Sequence, residues 1–160
     1  KMKKFITISA IISLLAMFSS CDDSTSIMFT DYYACIKDEG GAATSTISTN
    51  MTESYTATYY ISLVSVIMDD PVTISYEIKA GDGLKEGVNF KVINGTGNVT
   101  FDKGIFKKPL RIEYFPAKVD ETKDCKLTIR LTESSNKSIG IGYPGPNRRF
   151  SEHTITIHNK

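Results

Sequence analysis

Few residues in this 160-residue chain have the types and spacing that chemistry needs. Gly140, Gly142 and Gly145 in "GIGYPG" match G-x-G-x-x-G, the turn that seats a pyrophosphate at a helix N-terminus. Here Pro144 interrupts the motif, and "PNRRFSEHTITI" follows as loop and strand. No amide cradle or helix dipole is expected, only a loop before a last strand. There are two histidines, His153 and His158. On one strand their parity differs, which sends them to opposite faces. They cannot share a metal, and no Cys/His cluster surrounds them. Both are expected at an edge or on the surface. No G-x-S-x-G elbow presents a nucleophilic serine. The chain is therefore not expected to be an enzyme. A small envelope-associated hydrolase is the remaining catalytic class, and it would need a cleft that a small sandwich does not ordinarily carry.

Binding chemistry is better represented. Tyr33, Tyr60 and Tyr143 lie in doublets or loops. Neighbours on a strand face opposite ways, so one tyrosine of each doublet is free to stack on a sugar ring. The plainer account is core packing for inward rings and cross-strand pairing for outward ones. Trp, the preferred stacking platform, is absent. Cys35 and Cys125 read either as a disulfide or as two separate buried thiols.

The elements that must position these residues are strands. Val72, Ile74, Tyr76 and Ile78 alternate with polar residues, as do Leu110, Ile112 and Tyr114, then Leu127, Ile129 and Leu131, then Ile155 and Ile157. Period two means one buried face and one wet face. Further strands are expected over residues 27–36, 55–68, 88–93 and 98–101. In 55–68 the apolar parity slips after Leu63, which predicts a bulge or a bend there. Asn94-Gly95 reads as a hairpin turn. Residues 38–53 read as a long exposed connection. Seven to eight short strands without a helical period predict an all-β, immunoglobulin-like β-sandwich.

The N-terminus is different in kind. Lys1, Lys3 and Lys4 precede an uncharged apolar run, residues 5–18, and then Ser19-Ser20-Cys21. Basic, apolar and small-residue zones in that order predict a secretory signal peptide over residues 1–20, with translation beginning at Met2. The apolar run is shorter than the roughly 20 residues a membrane span needs. Ser19-Ser20-Cys21 resembles the lipobox of bacterial lipoproteins, with Phe18 where leucine is usual. The resemblance implies cleavage before Cys21 and acylation of its sulfur. Two or more acyl chains hold a protein stably at a membrane, where one does not. Residues 21–26 form the lipidated cysteine and a polar tether, and 27–160 the sandwich domain. Of 19 Lys and Arg and 18 Asp and Glu, three lysines and no acid lie in the leader. The mature part thus carries 16 against 18, net about −2, and no basic stripe suits nucleic acid.

Residues 72–115 resemble a Calx-beta-type domain. Gly81, Gly87 and Phe90 fit the family's corner. Gly97, Val99, Phe101 and Gly104 fit its hairpin, and "KLTIRLTES" and "HTITI" fit later strands. Similar domains occur in Bacteroidetes-type outer-membrane lipoproteins. In that setting Asp22 and Asp23, directly after the cysteine, resemble a surface-export signal. The resemblance implies a lipid-anchored protein of the outer membrane, facing the cell surface and suited to binding or scaffolding with a glycan or an outer-membrane protein as partner. It also raises calcium, which takes six to eight oxygens, and with it a calcium-stabilised adhesion domain. The sequence departs from that pattern. The family's corner aspartate is Asn89, and its acidic run is diluted by lysines in "PAKVDETKDCK". No metal is favoured; Asp69, Asp70, Asp120, Glu121 and Asp124 are the carboxylates left to gather around one.

Overall fold

A computed structural model describes residues 31–50 and 52–159. The expected signal peptide and tether, with Cys21, Asp22 and Asp23, lie outside the described residues. Ten strands follow in order: β1 (Tyr32–Asp38), β2 (Thr44–Ser48), β3 (Tyr55–Val64), β4 (Val72–Ala80), β5 (Phe90–Val92), β6 (Asn98–Phe101), β7 (Lys107–Tyr114), β8 (Lys126–Ser134), β9 (Ile139–Ile141) and β10 (Glu152–His158). The described residues contain no helix. Two five-stranded sheets form, with orders β5-β7-β3-β1-β9 and β2-β10-β8-β4-β6. They are called the first and second sheet below.

Alternation builds the layer between them. Tyr59, Ile61 and Leu63 of β3, with Leu110, Ile112 and Tyr114 of β7, turn inward from the first sheet. Val72, Ile74 and Tyr76 of β4, Leu127, Ile129 and Leu131 of β8, and Ile155 and Ile157 of β10 meet them from the second. Fully burying each aliphatic side chain contributes about 1.5–3 kcal/mol. A buried polar contact lies inside this layer: the hydroxyls of Tyr59 and Tyr114 are hydrogen-bonded at 2.8 Å.

The architecture is the one expected, with more strands and different joints. Residues 38–53 are not one exposed connection, because β2 lies inside them and pairs in parallel with β10. Asp38 makes the turn into β2: its carbonyl accepts from Gly41 N, and its Oδ1 accepts from Ala42 N at 2.7 Å. The parity change after Leu63 is a bend rather than a bulge: β3 ends at Val64, the chain bends at residues 65–66, and Val66 and Met68 belong to the loop beyond it. The register shift falls on β4 instead, between Ser75 and Tyr76 against β8. Asn94-Gly95 is no hairpin either, because β5 and β6 belong to different sheets. The Asn94 side chain takes the place of a strand residue. Its Nδ2 donates to Pro109 O at 2.9 Å, and its Oδ1 accepts from Arg111 N at 2.7 Å. A turn residue that hydrogen-bonds like backbone can end one ladder and start a crossover equally well.

Candidate functional site

β1 is the strand with unusual burial. Ala34 and Ile36 face the core, yet Tyr33 and Cys35, on the opposite face, are buried as well. The cover is the loop joining β9 to β10, residues 142–151, which straps across the outside of β1. Its backbone is tied down at both ends: Gly142 N donates to Ala34 O at 2.8 Å, and Ile36 N donates to Phe150 O at 2.9 Å. Side chains follow the same row. The Tyr143 ring stands edge-on to Tyr33 with centroids 5.3 Å apart, and Lys37 Nζ lies 4.3 Å above the Phe150 ring.

The strap holds its shape through unusual backbone. Gly142 has φ +79°, and a Cβ there would lie 2.5 Å from Arg148 O. Arg148 and Phe150 also take positive φ, 38° and 62°, a conformation that costs a non-glycine residue free energy and gathers where function fixes geometry. The glycines of "GIGYPG" thus serve a closed loop. β9, placed in parallel beside β1, is part of the first sheet rather than of a loop.

Between the strap and the start of β1 opens a groove of about 510 Å³. Asp31, Tyr33, Tyr143, Pro144 and Arg148 contribute to its wall. Tyr143 is 48% exposed and offers an open ring, while Tyr33 is 7% exposed and supports it from behind. Burial, then the neighbouring Cys35 and Tyr143, raise the Tyr33 hydroxyl above its ordinary pKa, so it stays a neutral donor. Arg148 and Asp31 add charged donors and acceptors at the rim. Tyr60 is on the same outer face, opposite Lys37 in the register where Tyr33 is opposite Val64. Four residues of strand separate these rows, about 13 Å. The Tyr60 ring is capped by Lys107 Nζ at 3.7 Å, so its face is already taken by a cation.

Other predicted chemistry disperses. Cys35 and Cys125 are both free and buried, so the disulfide is not formed. The reason is placement: Cys35 points outward from the first sheet, beneath the strap, whereas Cys125 adjoins β8 of the second, its Sγ 3.3 Å from Asp120 O. Burial raises both thiols, with Lys37 opposing it at Cys35 and surrounding acids adding to it at Cys125. His153 is not at an edge. It is fully buried, with Nδ1 3.1 Å from Ala42 O and Nε2 3.0 Å from Ser45 Oγ. His158, as its parity requires, faces the other way and is only half-buried.

The acids do not converge. Asp69 and Asp70 precede β4, whereas Asp120, Glu121 and Asp124 precede β8, which is antiparallel to β4. Nine residues of β4, about 30 Å of strand, separate the two groups. Asp69 is paired with Lys103 at 2.8 Å. At the other end each carboxylate already caps backbone: Asp120 Oδ1 accepts from Thr122 N, Glu121 Oε1 from Asn159 N, and Asp124 Oδ1 from Lys126 N. Asp82, not singled out in the sequence, accepts from Asp124 N. Hydrogen bonds from Thr122 hold the Asp120 carboxyl below the usual range. Asn89, at the corner, is buried and accepts from Lys85 N. Among the described residues no group of three or more His, Cys, Asp and Glu is placed to hold a metal. The residues present do not fit a calcium ion.

No family model matches this sequence, and no curated protein matches it. Solved structures do. The crystal structure of the apo form of the Calx CBD1 domain is 18% identical, with a TM-score of 0.50 over 80% of this chain and 98% of that one. The fold is a Calx-beta-like, immunoglobulin-like sandwich. A protein of unknown function from Bacteroides ovatus is 10% identical, with a TM-score of 0.53 over 80% of this chain; the match spans 47% of that protein.

The strap itself escaped sequence reasoning. Its signal was there in "YYACI", residues 32–36, a continuous apolar run rather than an alternation. Such a run marks a strand covered on both faces.

Proposed function

We propose that this chain is a lipoprotein of the cell envelope, anchored in the outer membrane through Cys21 and facing the cell surface, whose sandwich binds a glycan without catalysis. The observation that carries the glycan reading is the half-exposed Tyr143 ring, fixed edge-on to Tyr33 beside Arg148 and Asp31. A rigid aromatic plate with charged hydrogen-bonding groups at its rim suits a sugar ring, which has an apolar face and a polar edge. Because Tyr33 and the strap already immobilise Tyr143, little ordering entropy is lost on binding.

The lipobox and leader support the anchor, and the Asp22-Asp23 pair supports export to the surface. The non-catalytic reading is supported by the Ser45–His153 pair. That serine has a histidine partner, but the third group is the Ala42 carbonyl rather than a carboxylate. The enclosed ring has no path to protonate a leaving group.

Two measurements test the reading. The protein should be retarded by at least one polysaccharide in affinity electrophoresis, and Tyr143→Ala should abolish the retardation while leaving the circular dichroism spectrum unchanged. Retardation that survives the substitution removes the groove from the proposal. In a detergent phase split, the native protein should partition with detergent and Cys21→Ala with water; equal partitioning removes the anchor.

A further inference from the structure

The point where the chain enters the sandwich decides which end faces the anchor. The described chain starts at Asp31, and β1 runs away from it. The pairing of Tyr33 with Val64 sets the start of β1 beside the end of β3, where loop 65–71 opens. Loop 102–106 is at this end too, because Phe101 pairs with Val72 and Leu63 N donates to Phe106 O at 2.8 Å. These two adjoining loops carry Val66, Ile67 and Ile105, which are 56%, 61% and 43% exposed. They are three of the seven large apolar side chains exposed among the described residues. Two of the acids between them are matched by lysine, Asp69 by Lys103 at 2.8 Å and Asp102 by Lys108 at 3.5 Å. The opposite end carries Asp82, Asp120, Glu121 and Asp124 instead.

Nine residues lie between Cys21 and Asp31, ten chain steps with a reach of at most about 36 Å when fully extended. An acylated Cys21 therefore keeps the apolar end near the bilayer, and on average nearer than the acidic end. We propose that Val66, Ile67 and Ile105 rest in the headgroup layer of the membrane that holds the lipid, so that the sandwich stands on its anchor rather than swinging on a tether. The occupant is a lipid surface. Exposed aliphatic side chains gain by leaving water there, and acids neutralised by lysine approach it at little electrostatic penalty. The inference rests on the lipoprotein reading. It also sets the Tyr143 groove, at the same end of β1, close above the membrane.

The test uses the acylated protein reconstituted into vesicles of phosphatidylethanolamine and phosphatidylglycerol. An environment-sensitive fluorophore is attached through Ile67→Cys, or through Lys118→Cys at the acidic end. Protein without either substitution serves as the blank for the buried Cys35 and Cys125. On vesicle binding the probe at position 67 should shift to the blue, and lipids carrying a shallow nitroxide should quench it, while the probe at position 118 stays unchanged. Protein that floats with the vesicles but shows equal, weak quenching at both positions overturns the inference alone. Protein that does not float overturns the anchor, and the inference with it.

Discussion

Acidification from pH 7.5 to 5 should weaken this fold through His153. The ring is fully buried, 4.9 Å from Tyr59, between Ala42 O and Ser45 Oγ. A carbonyl only accepts, so Nδ1 carries the proton and Nε2 accepts from Ser45: the neutral ring is satisfied on both sides. Burial pushes its pKa below the ordinary value, opposed by the charge of Asp38 and the bond to Ala42. The unfolded chain takes up a proton as pH falls through about 6.5, while the folded chain refuses it. Stability therefore declines as pH falls through that value and levels off below the folded pKa. One proton gives a slope of at most about 1.4 kcal/mol per pH unit, and so at most about 2 kcal/mol between pH 6.5 and 5. A domain of total stability near 5–15 kcal/mol shows such a loss clearly. Urea unfolding at half-unit pH steps would measure it in the native protein, in His153→Gln and in His158→Gln. The slope should persist in His158→Gln and flatten in His153→Gln. Parallel curves for the native protein and His153→Gln would refute the assignment.

Three further outcomes follow from the same geometry. Tyr59→Phe should destabilise by about 1–3 kcal/mol, since it strands the buried Tyr114 hydroxyl, and Tyr114→Phe should cost less, since Tyr59 keeps Ser45 as a partner. In denaturant unfolding the double variant should lose clearly less than the two singles added together, and strict additivity would count against the hydroxyl pair. Gly142→Ala places a Cβ 2.5 Å from Arg148 O at φ +79°, so the strap should open. Limited proteolysis should then cut within 142–151 before the sheets unfold, and resistance equal to the native protein would show that the loop holds by other means. Calcium and EDTA should each leave the melting temperature unchanged, because the end-loop carboxylates already cap backbone amides; a rise of several degrees with calcium would mean the loops rearrange to bind it.

How much was legible beforehand divides along physical lines. Strands with one wet face, such as β4, β7, β8 and β10, announce themselves by alternation, and each lies where the pattern put it. Strands defined by a partner do not. β2 is five residues of Thr, Ser and Ile inside a polar stretch, and only the distant β10 makes it a strand. The burial of His153 was hidden for a related reason. Its inward parity was readable, but the carbonyl and hydroxyl that satisfy it lie 111 and 108 residues away in sequence. Asn94-Gly95 misled because the same dipeptide chemistry serves a hairpin or a crossover, and the choice is made by partners distant in sequence, Pro109 and Arg111 of β7. At the candidate site Tyr143 was readable as an exposed ring. That Tyr33 would prop it, and that Lys107 would cover Tyr60, depended on long-range register.

The position of β10, between β2 and β8, bears on the order in which the molecule can form. β2 has no neighbour in its sheet except β10. A ribosome delivers β2 about a hundred residues before its partner, and closing so long a loop is slow compared with local pairing. Until β10 arrives, β2 and β8 both present open edges to any passing strand. The Thr and Ser residues of β2 then serve a purpose that the finished sandwich does not reveal, by keeping an orphan strand soluble while it waits.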